Sequence, residues 1–141
     1  MNEIVVRRRE LSIEEPWSVP DGISLTPLRR ATDGAEPRLA TQIAVYRDDE
    51  FLNVLFIAND DHIVATHLDH DAPLYEEDVV EIFVAPERIT EYFELEVNPL
   101  GTTFDARIES PDGVRTTMRA DLEWNANGLF AAIFRESVAT A

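Results

Sequence analysis

The chain has 141 residues, with 12 basic side chains, all of them arginine, 28 acidic ones, three histidines and no cysteine. The lack of cysteine excludes disulfide scaffolds, thiolate zinc sites and thiol catalysis. A formal charge of −16 repels phosphate, so we expect neither nucleic acid nor an anionic membrane as a partner. No run approaches the roughly 20 apolar residues of a membrane span. The length and the apolar fraction of 45% predict a single domain over residues 1–141.

The negative charge is concentrated in the middle of the chain. Residues 48–112 contain 18 acidic side chains and only two basic ones, Arg88 and Arg107. Solvated strand faces and turns are one explanation of this bias. A site for cations or for hydroxyl-rich ligands is the other, because carboxylates bind both. Composition alone leaves the two open.

Short segments of alternating or β-branched residues follow one another along the chain, and none keeps a helical period over three turns. Turn-forming residues separate them at intervals of roughly 8 to 12 residues. This spacing predicts an all-β fold, an antiparallel β-sandwich with jelly-roll or immunoglobulin-like layers. The predicted strands are residues 4–11, 24–29, 40–46, 51–58, 79–84, 92–98, 103–109, 116–125 and 128–134.

Four segments carry more specific expectations. Segments 40–46 and 51–58 have the pattern of a hairpin around a polar turn, and 51–58 is apolar on both faces, which predicts a central strand. Residues 59–77 form an irregular stretch of a length at which loops are often functional. Segment 128–134 has the pattern of a core strand, although the chain ends seven residues later. We therefore expect either that it pairs internally or that the chain is truncated and lacks further C-terminal strands.

An aromatic residue and several carboxylates follow the long loop. Carbohydrates expose apolar C–H faces and rims of hydroxyl groups, so a site for them needs an exposed ring beside carboxylate or amide acceptors on rigid strands. A ring that caps the edge of the sandwich and a solvated outer strand face are the structural alternatives. The residues with the required chemistry are Tyr75, Glu81, Glu94, Glu96 and Asn98.

Strand 92–98 divides its side chains between two faces. Its apolar residues face one way, and Glu94, Glu96 and Asn98 face the other, which is either a solvated outer face or the polar floor of a binding site. Two parallel side chains on one strand cannot flank opposite faces of a scissile bond, so they predict no enzyme. Asp78, directly before a strand, is expected to accept backbone hydrogen bonds.

The long loop also concentrates potential metal ligands, since it contains all three histidines together with several aspartates. No spacing matches a zinc helix or a calcium loop with its central glycine. A solvated loop, a structural calcium site and a histidine-based metal site remain open. The candidate calcium ligands are Asp60, Asp61, Asp69 and Asp71.

Segments 52–58, 72–84 and 92–98 together resemble the family 9 carbohydrate-binding modules, over about residues 38–134. The most specific signal is the pattern aromatic-Glu-x-Asp-x-Val-Glu-x-Phe from Tyr75 to Phe83. Those modules are β-sandwiches found beside glycoside hydrolase domains, and related folds include the DOMON domains. The resemblance implies non-catalytic binding of a poly- or oligosaccharide, in support of carbohydrate catabolism by a neighbouring catalytic domain of a longer parent protein.

The resemblance also assigns roles to individual residues. Tyr75 takes the place of a tryptophan that stacks on the sugar, Glu81 that of a carboxylate bound to hydroxyls, and Glu94 or Glu96 supplies polar contacts. Tyr75 is a smaller platform than tryptophan, and Glu96 replaces a cationic or amide side chain. The second aromatic of the family is expected beyond residues 128–134, so a complete two-ring clamp is not expected here.

Localisation stays open, because the chain as given has no leader and reads as cytoplasmic, whereas the resemblance implies an extracellular or periplasmic parent. A structural or protein-interaction β-sandwich module, with calcium as a stabilising ion, is the alternative function. In that case the acidic middle of the chain keeps a larger assembly soluble or docks a basic partner.

Overall fold

The computed structural model describes residues 3–137, and within them almost all regular structure is β. The chain divides into two compact units, Met1–Asp61 and His62–Ala141, and each contains one four-stranded sheet. The predicted fold class, all-β with two largely antiparallel sheets as in a β-sandwich, is confirmed. The strands are β1 (Arg7–Arg8), β2 (Thr26–Pro27), β3 (Thr41–Arg47), β4 (Leu52–Ala58), β5 (Val80–Val84), β6 (Glu91–Val97), β7 (Thr103–Glu109) and β8 (Arg119–Asp121), and the 3₁₀ helices are Leu74–Glu76 and Arg115–Thr117.

In the first unit, β3 is the central strand. β4 pairs with β3 in antiparallel register along its whole length, and the short strands β1 and β2 pair with opposite ends of β3. The predicted hairpin is thus confirmed, and Asp48 closes its turn by accepting hydrogen bonds from the amides of Glu50 and Phe51. The prediction that segment 51–58 is central was wrong. Among the described strands β4 pairs only with β3, so its apolar pattern does not reflect pairing on both edges.

In the second unit, β5, β6, β7 and β8 form an antiparallel meander in chain order. The turn between β6 and β7 closes with a hydrogen bond from the amide of Gly101 to the carbonyl of Asn98, at 2.9 Å. Gly101 has φ of 82°, a left-handed conformation that side chains other than glycine rarely adopt. The buried cluster of this unit consists of Leu74, Phe104, Ala106 and Ile108.

The C-terminal strand predictions were largely wrong. Segment 116–125 contains only the three-residue strand β8, and no strand is assigned within 128–134. Phe130 and Phe134 are 80% and 56% exposed, so this segment does not form the predicted core strand. An apolar pattern becomes a strand only where it pairs with another strand, and within the described residues segment 128–134 pairs with none of the eight strands.

Within the described residues, no helix has the length and apolar character needed to cross a membrane.

Candidate functional site

A cluster of three glutamates lies on one face of the second sheet. Glu81 on β5 is the direct cross-strand partner of Glu96 on β6, and Glu94 lies two residues before Glu96 on the same face. One carboxylate oxygen from each residue lies within 4.8 Å of those of the other two. The structure therefore brings together three of the five residues that the sequence predicted for a carbohydrate site.

This face is buried around Glu96 and exposed at Phe83. Glu96 is opposite Phe104 and Glu94 is opposite Ala106, and both of these partners belong to the buried apolar cluster. Of the two alternatives for this face, the solvated outer face does not hold at Glu96, because Leu74 from the preceding loop packs with Phe104 and Ala106 there. Alternation along a strand separates two faces but does not say which one is covered.

Glu96 is fully buried, with 0% of its surface exposed. Neither of its carboxylate oxygens has a hydrogen-bond partner among residues 3–137. The amide of Tyr75 lies close enough to influence the Glu96 carboxylate but outside hydrogen-bond geometry. A buried charged carboxylate without a partner is strongly unfavourable, so the protonation state of this group depends on its surroundings.

Burial raises the pKa of Glu96 to about 8, and the neighbouring carboxyls of Glu81 and Glu94 add to this effect. Burial, followed by the charge of Glu94, also raises the pKa of Glu81. The three groups share one small space and titrate as a unit. At neutral pH the cluster therefore retains a proton, which Glu96 holds most strongly.

No arginine neutralises this cluster within the described part of the chain. The nearest strand arginine in sequence, Arg107 on β7, pairs with Glu91 at 2.7 Å and lies 3.9 Å from Glu109. Residue 107 is one position from Ala106, the partner of Glu94, so its side chain leaves the opposite face of the sheet. The acceptors of the cluster are thus not occupied by an ion pair.

Tyr75 lies beside the glutamate cluster with its ring exposed. It belongs to the 3₁₀ helix Leu74–Glu76, in which Leu74 is fully buried and anchors the turn. Tyr75 is 60% exposed, and its ring meets the ring of Phe104 edge to face, with centroids 6.4 Å apart. Because Phe104 is the cross-strand partner of Glu96, the exposed ring stands next to the carboxylates.

Two acidic residues after Tyr75 hold the loop in place. Asp78 accepts a hydrogen bond from the amide of Val64 at 2.6 Å, which confirms its predicted structural role. Glu77 accepts hydrogen bonds from the amide and the hydroxyl of Thr66, and these bonds lower the pKa of its carboxyl. The loop that carries Tyr75 is thereby fixed to its own earlier part.

Phe83 is a second exposed ring on the glutamate face, which the sequence analysis did not select. It is 57% exposed, it is the cross-strand partner of Glu94, and its ring meets that of Tyr92 edge to face at 5.8 Å. The signal for it was its position two residues after Glu81 on the same strand face.

Asn98 is buried and bonded within the fold. Its amide nitrogen donates to the carbonyl of His67 at 2.9 Å, and its amide oxygen accepts from the amides of Leu100 and Thr102. These bonds tie the β6–β7 turn to the long loop. The structure thus gives Asn98 a role in holding the turn and does not join it to the carboxylate cluster.

The four predicted calcium ligands divide between the two units, and the calcium site stays a prediction. Asp60 and Asp61 belong to the first unit and Asp69 and Asp71 to the second, and Asp61 pairs with Arg38 at 2.6 Å. Asp71 instead joins two residues of the second unit in a separate cluster, whose other members are His70 and Asp105.

The family comparison bears on this geometry. A family model described as "Carbohydrate family 9 binding domain-like" matches residues 12–127. No curated protein and no solved structure matches the chain. The family match includes every residue of the glutamate cluster and both exposed rings.

Proposed function

Because the chain belongs to the family of carbohydrate family 9 binding domain-like proteins, we propose that it binds a poly- or oligosaccharide without transforming it. Membership in this family supports carbohydrate binding in general. The observation that carries the specific proposal is the exposed Tyr75 ring beside the unpaired Glu81–Glu94–Glu96 cluster.

Each member of the proposed site has a distinct task. The ring of Tyr75 offers its apolar face to the C–H groups of a sugar ring. Glu81 and Glu94 are partly exposed and accept hydrogen bonds from sugar hydroxyls. Glu96 is inaccessible, so we assign it the role of a positioning residue that shares its proton with the two carboxylates in front of it. Phe83 extends the apolar surface beyond Glu94.

The burial of Glu96 argues against hydrolysis. A carboxyl group with a raised pKa beside a second carboxylate is the arrangement that glycosidases use for acid catalysis. A general acid must reach the glycosidic oxygen within hydrogen-bond distance. Glu96 has no exposed surface and cannot do so. This supports binding rather than catalysis.

The charge of the site indicates which sugars it accepts. The glutamate cluster has no arginine partner in the described part of the chain and stays negatively charged while it holds one proton, so it repels uronic acids and favours neutral or amino sugars. We place this binding in an accessory role beside a catalytic domain that acts on the same polysaccharide.

A panel of immobilised hexasaccharides tests the proposal. Cellohexaose stands for neutral sugars, a chitosan hexamer for amino sugars and hexagalacturonate for uronic acids. We expect retention of the chain on the neutral or amino sugars and not on the uronic acid. Failure to bind any of them, together with a mass that rises with concentration in sedimentation, would favour the structural or interaction module instead.

A further inference from the structure

One ring nitrogen of His70 faces three side-chain oxygen atoms. Its Nδ1 lies 2.8 Å from the carbonyl oxygen of Thr103, and because a carbonyl only accepts, Nδ1 carries the proton. Its Nε2 faces Oδ1 of Asp71 at 3.3 Å, Oδ2 of Asp105 at 3.8 Å and Oδ1 of Asn125 at 3.3 Å. The Asn125 amide nitrogen donates to the carbonyl of Glu123, which fixes its oxygen toward the imidazole.

These separations suit a shared cation better than direct hydrogen bonds. N–H···O bonds in proteins are usually about 2.7 to 3.2 Å long, so the contact of Nε2 with Asp105 lies beyond that range and the two at 3.3 Å lie at its long end. An ion with tetrahedral ligands about 2.1 Å away holds those ligands roughly 3.4 Å apart. The distances of 3.3, 3.3 and 3.8 Å from Nε2 are close to that value.

Asp105 provides the second, independent observation. Its side chain is only 4% exposed, and its Oδ1 has no hydrogen-bond partner within residues 3–137. A buried carboxylate is strongly unfavourable unless it is paired or bound to a metal. The other oxygen of Asp105, Oδ2, lies 3.8 Å from Nε2 of His70, so this buried carboxylate reaches the cluster with His70 and Asp71 and has no hydrogen-bond partner at Oδ1 among the described residues.

The charge of the cluster distinguishes a proton from a metal ion as its occupant. Protonation of Nε2 supplies one positive charge against the two carboxylates of Asp71 and Asp105. A divalent cation neutralises both and uses the Nε2 lone pair as a ligand. The bond from Nδ1 to the Thr103 carbonyl is the outer-shell contact that metal-binding histidines usually make.

We propose that His70, Asp71, Asp105 and Asn125 form a binding site for a divalent first-row transition-metal ion such as Zn²⁺. Imidazole is a good ligand for this class of ion, whereas Ca²⁺ and Mg²⁺ prefer oxygen alone. Asp105 follows Phe104 on β7, so its side chain leaves the sheet on the face opposite to the glutamate cluster. The metal site is therefore separate from the carbohydrate site and does not depend on it.

Calorimetric titration of Zn²⁺ into the full chain, previously stripped with chelator, tests this proposal. We expect one ion per chain, and at least a tenfold loss of affinity in Asp105→Asn. That variant removes the buried charge and keeps the side-chain shape, so without metal we expect it to unfold at a temperature no lower than the wild type. Asp69→Asn changes a loop carboxylate outside the cluster and should bind Zn²⁺ as the wild type does. Zn²⁺ should raise the unfolding temperature of the wild type and not that of Asp105→Asn.

Three results would overturn the proposal. The first is the absence of Zn²⁺ binding, which would leave a protonated His70 as the occupant. The second is binding that survives Asp105→Asn but is lost in Glu96→Gln, which would move the ion to the glutamate cluster. The third is displacement of Zn²⁺ by an equal concentration of Ca²⁺, which would contradict the class of ion.

Discussion

Glu81 and Glu96 face each other as directly paired residues across the ladder between β5 and β6. Like charges in this position destabilise a sheet, and here one of the two carboxyls is also fully buried. Apolar residues in these positions would fill the same space with a smaller loss of stability. A cluster that lowers stability in this way, beside an exposed aromatic ring, is typical of a functional site.

The first prediction concerns the pH dependence of stability. The pKa of Glu96 is about 8 in the folded protein against an ordinary 4.5, so the folded state binds a proton that the unfolded state releases. The ionisation of Glu96 therefore has no effect on the free energy of unfolding below about pH 4.5, and it lowers that free energy progressively as pH rises from there through about 8. One pKa unit corresponds to about 1.36 kcal/mol, so the total is on the order of a few kcal/mol.

Glu96→Gln should remove this loss. Urea unfolding of wild type and variant at a series of pH values should give a difference that grows with pH in favour of the variant. Glu87→Gln, on the surface, is the matched control and should follow the wild type. A difference between wild type and Glu96→Gln that stays constant from pH 5 to 9 would be inconsistent with a raised pKa.

The second prediction concerns Phe83. Its ring is more than half exposed next to Glu94, so Phe83→Ala should weaken saccharide binding by roughly two- to tenfold, the range expected for one aromatic contact. The unfolding temperature should change little. Ile89→Ala, at an 87% exposed position, should leave binding unchanged. Equal affinities of Phe83→Ala and wild type would remove this ring from the proposed site.

The third prediction concerns Asn98. Replacement by alanine leaves the backbone amides of Leu100 and Thr102 without their side-chain acceptor and removes one of the two side-chain donors to the carbonyl of His67. We expect a loss of about 2 to 3 kcal/mol in the free energy of unfolding by urea. Saccharide affinity, measured where the variant is folded, should stay within about twofold of the wild type, since Asn98 holds the turn and is not a proposed contact. Asn127→Ala, an exposed position, should have no effect on stability.

The fold of the second unit follows closely from the sequence. Clean alternation in residues 92–98 and 103–109, bounded by turns of the Asn-Pro-x-Gly and Ser-Pro-x-Gly type, predicts the β6–β7 hairpin that the structure contains. The motif from Tyr75 to Phe83 likewise predicts an aromatic residue near a carboxylate, because both lie within a few residues of each other in the sequence. The pairing of Glu81 with Glu96 can be predicted once the register between the adjacent strands β5 and β6 is known.

Other features depend on contacts that no local pattern contains. Leu74 buries the glutamate face, and which face of a sheet a loop covers is decided by packing. Asp105 is 34 positions from Asp71 in the sequence. The sequence therefore indicated only the loop part of the cluster of His70, Asp71 and Asp105, as a stretch rich in histidine and aspartate. Segment 128–134 is the opposite case, because its local apolar pattern predicted a strand but the segment pairs with no strand in the described part of the chain.

Titration of cellohexaose, or of the panel hexasaccharide bound most tightly, into wild type, Tyr75→Phe and Tyr75→Ala tests the central claim most directly. If the Tyr75 ring stacks on the sugar next to hydrogen-bonding carboxylates, Tyr75→Phe should retain binding, because the stacking face is preserved. Tyr75→Ala should bind about tenfold more weakly or worse, with an unchanged unfolding temperature, since the ring is largely exposed. Wild-type affinity in Tyr75→Ala would contradict the account.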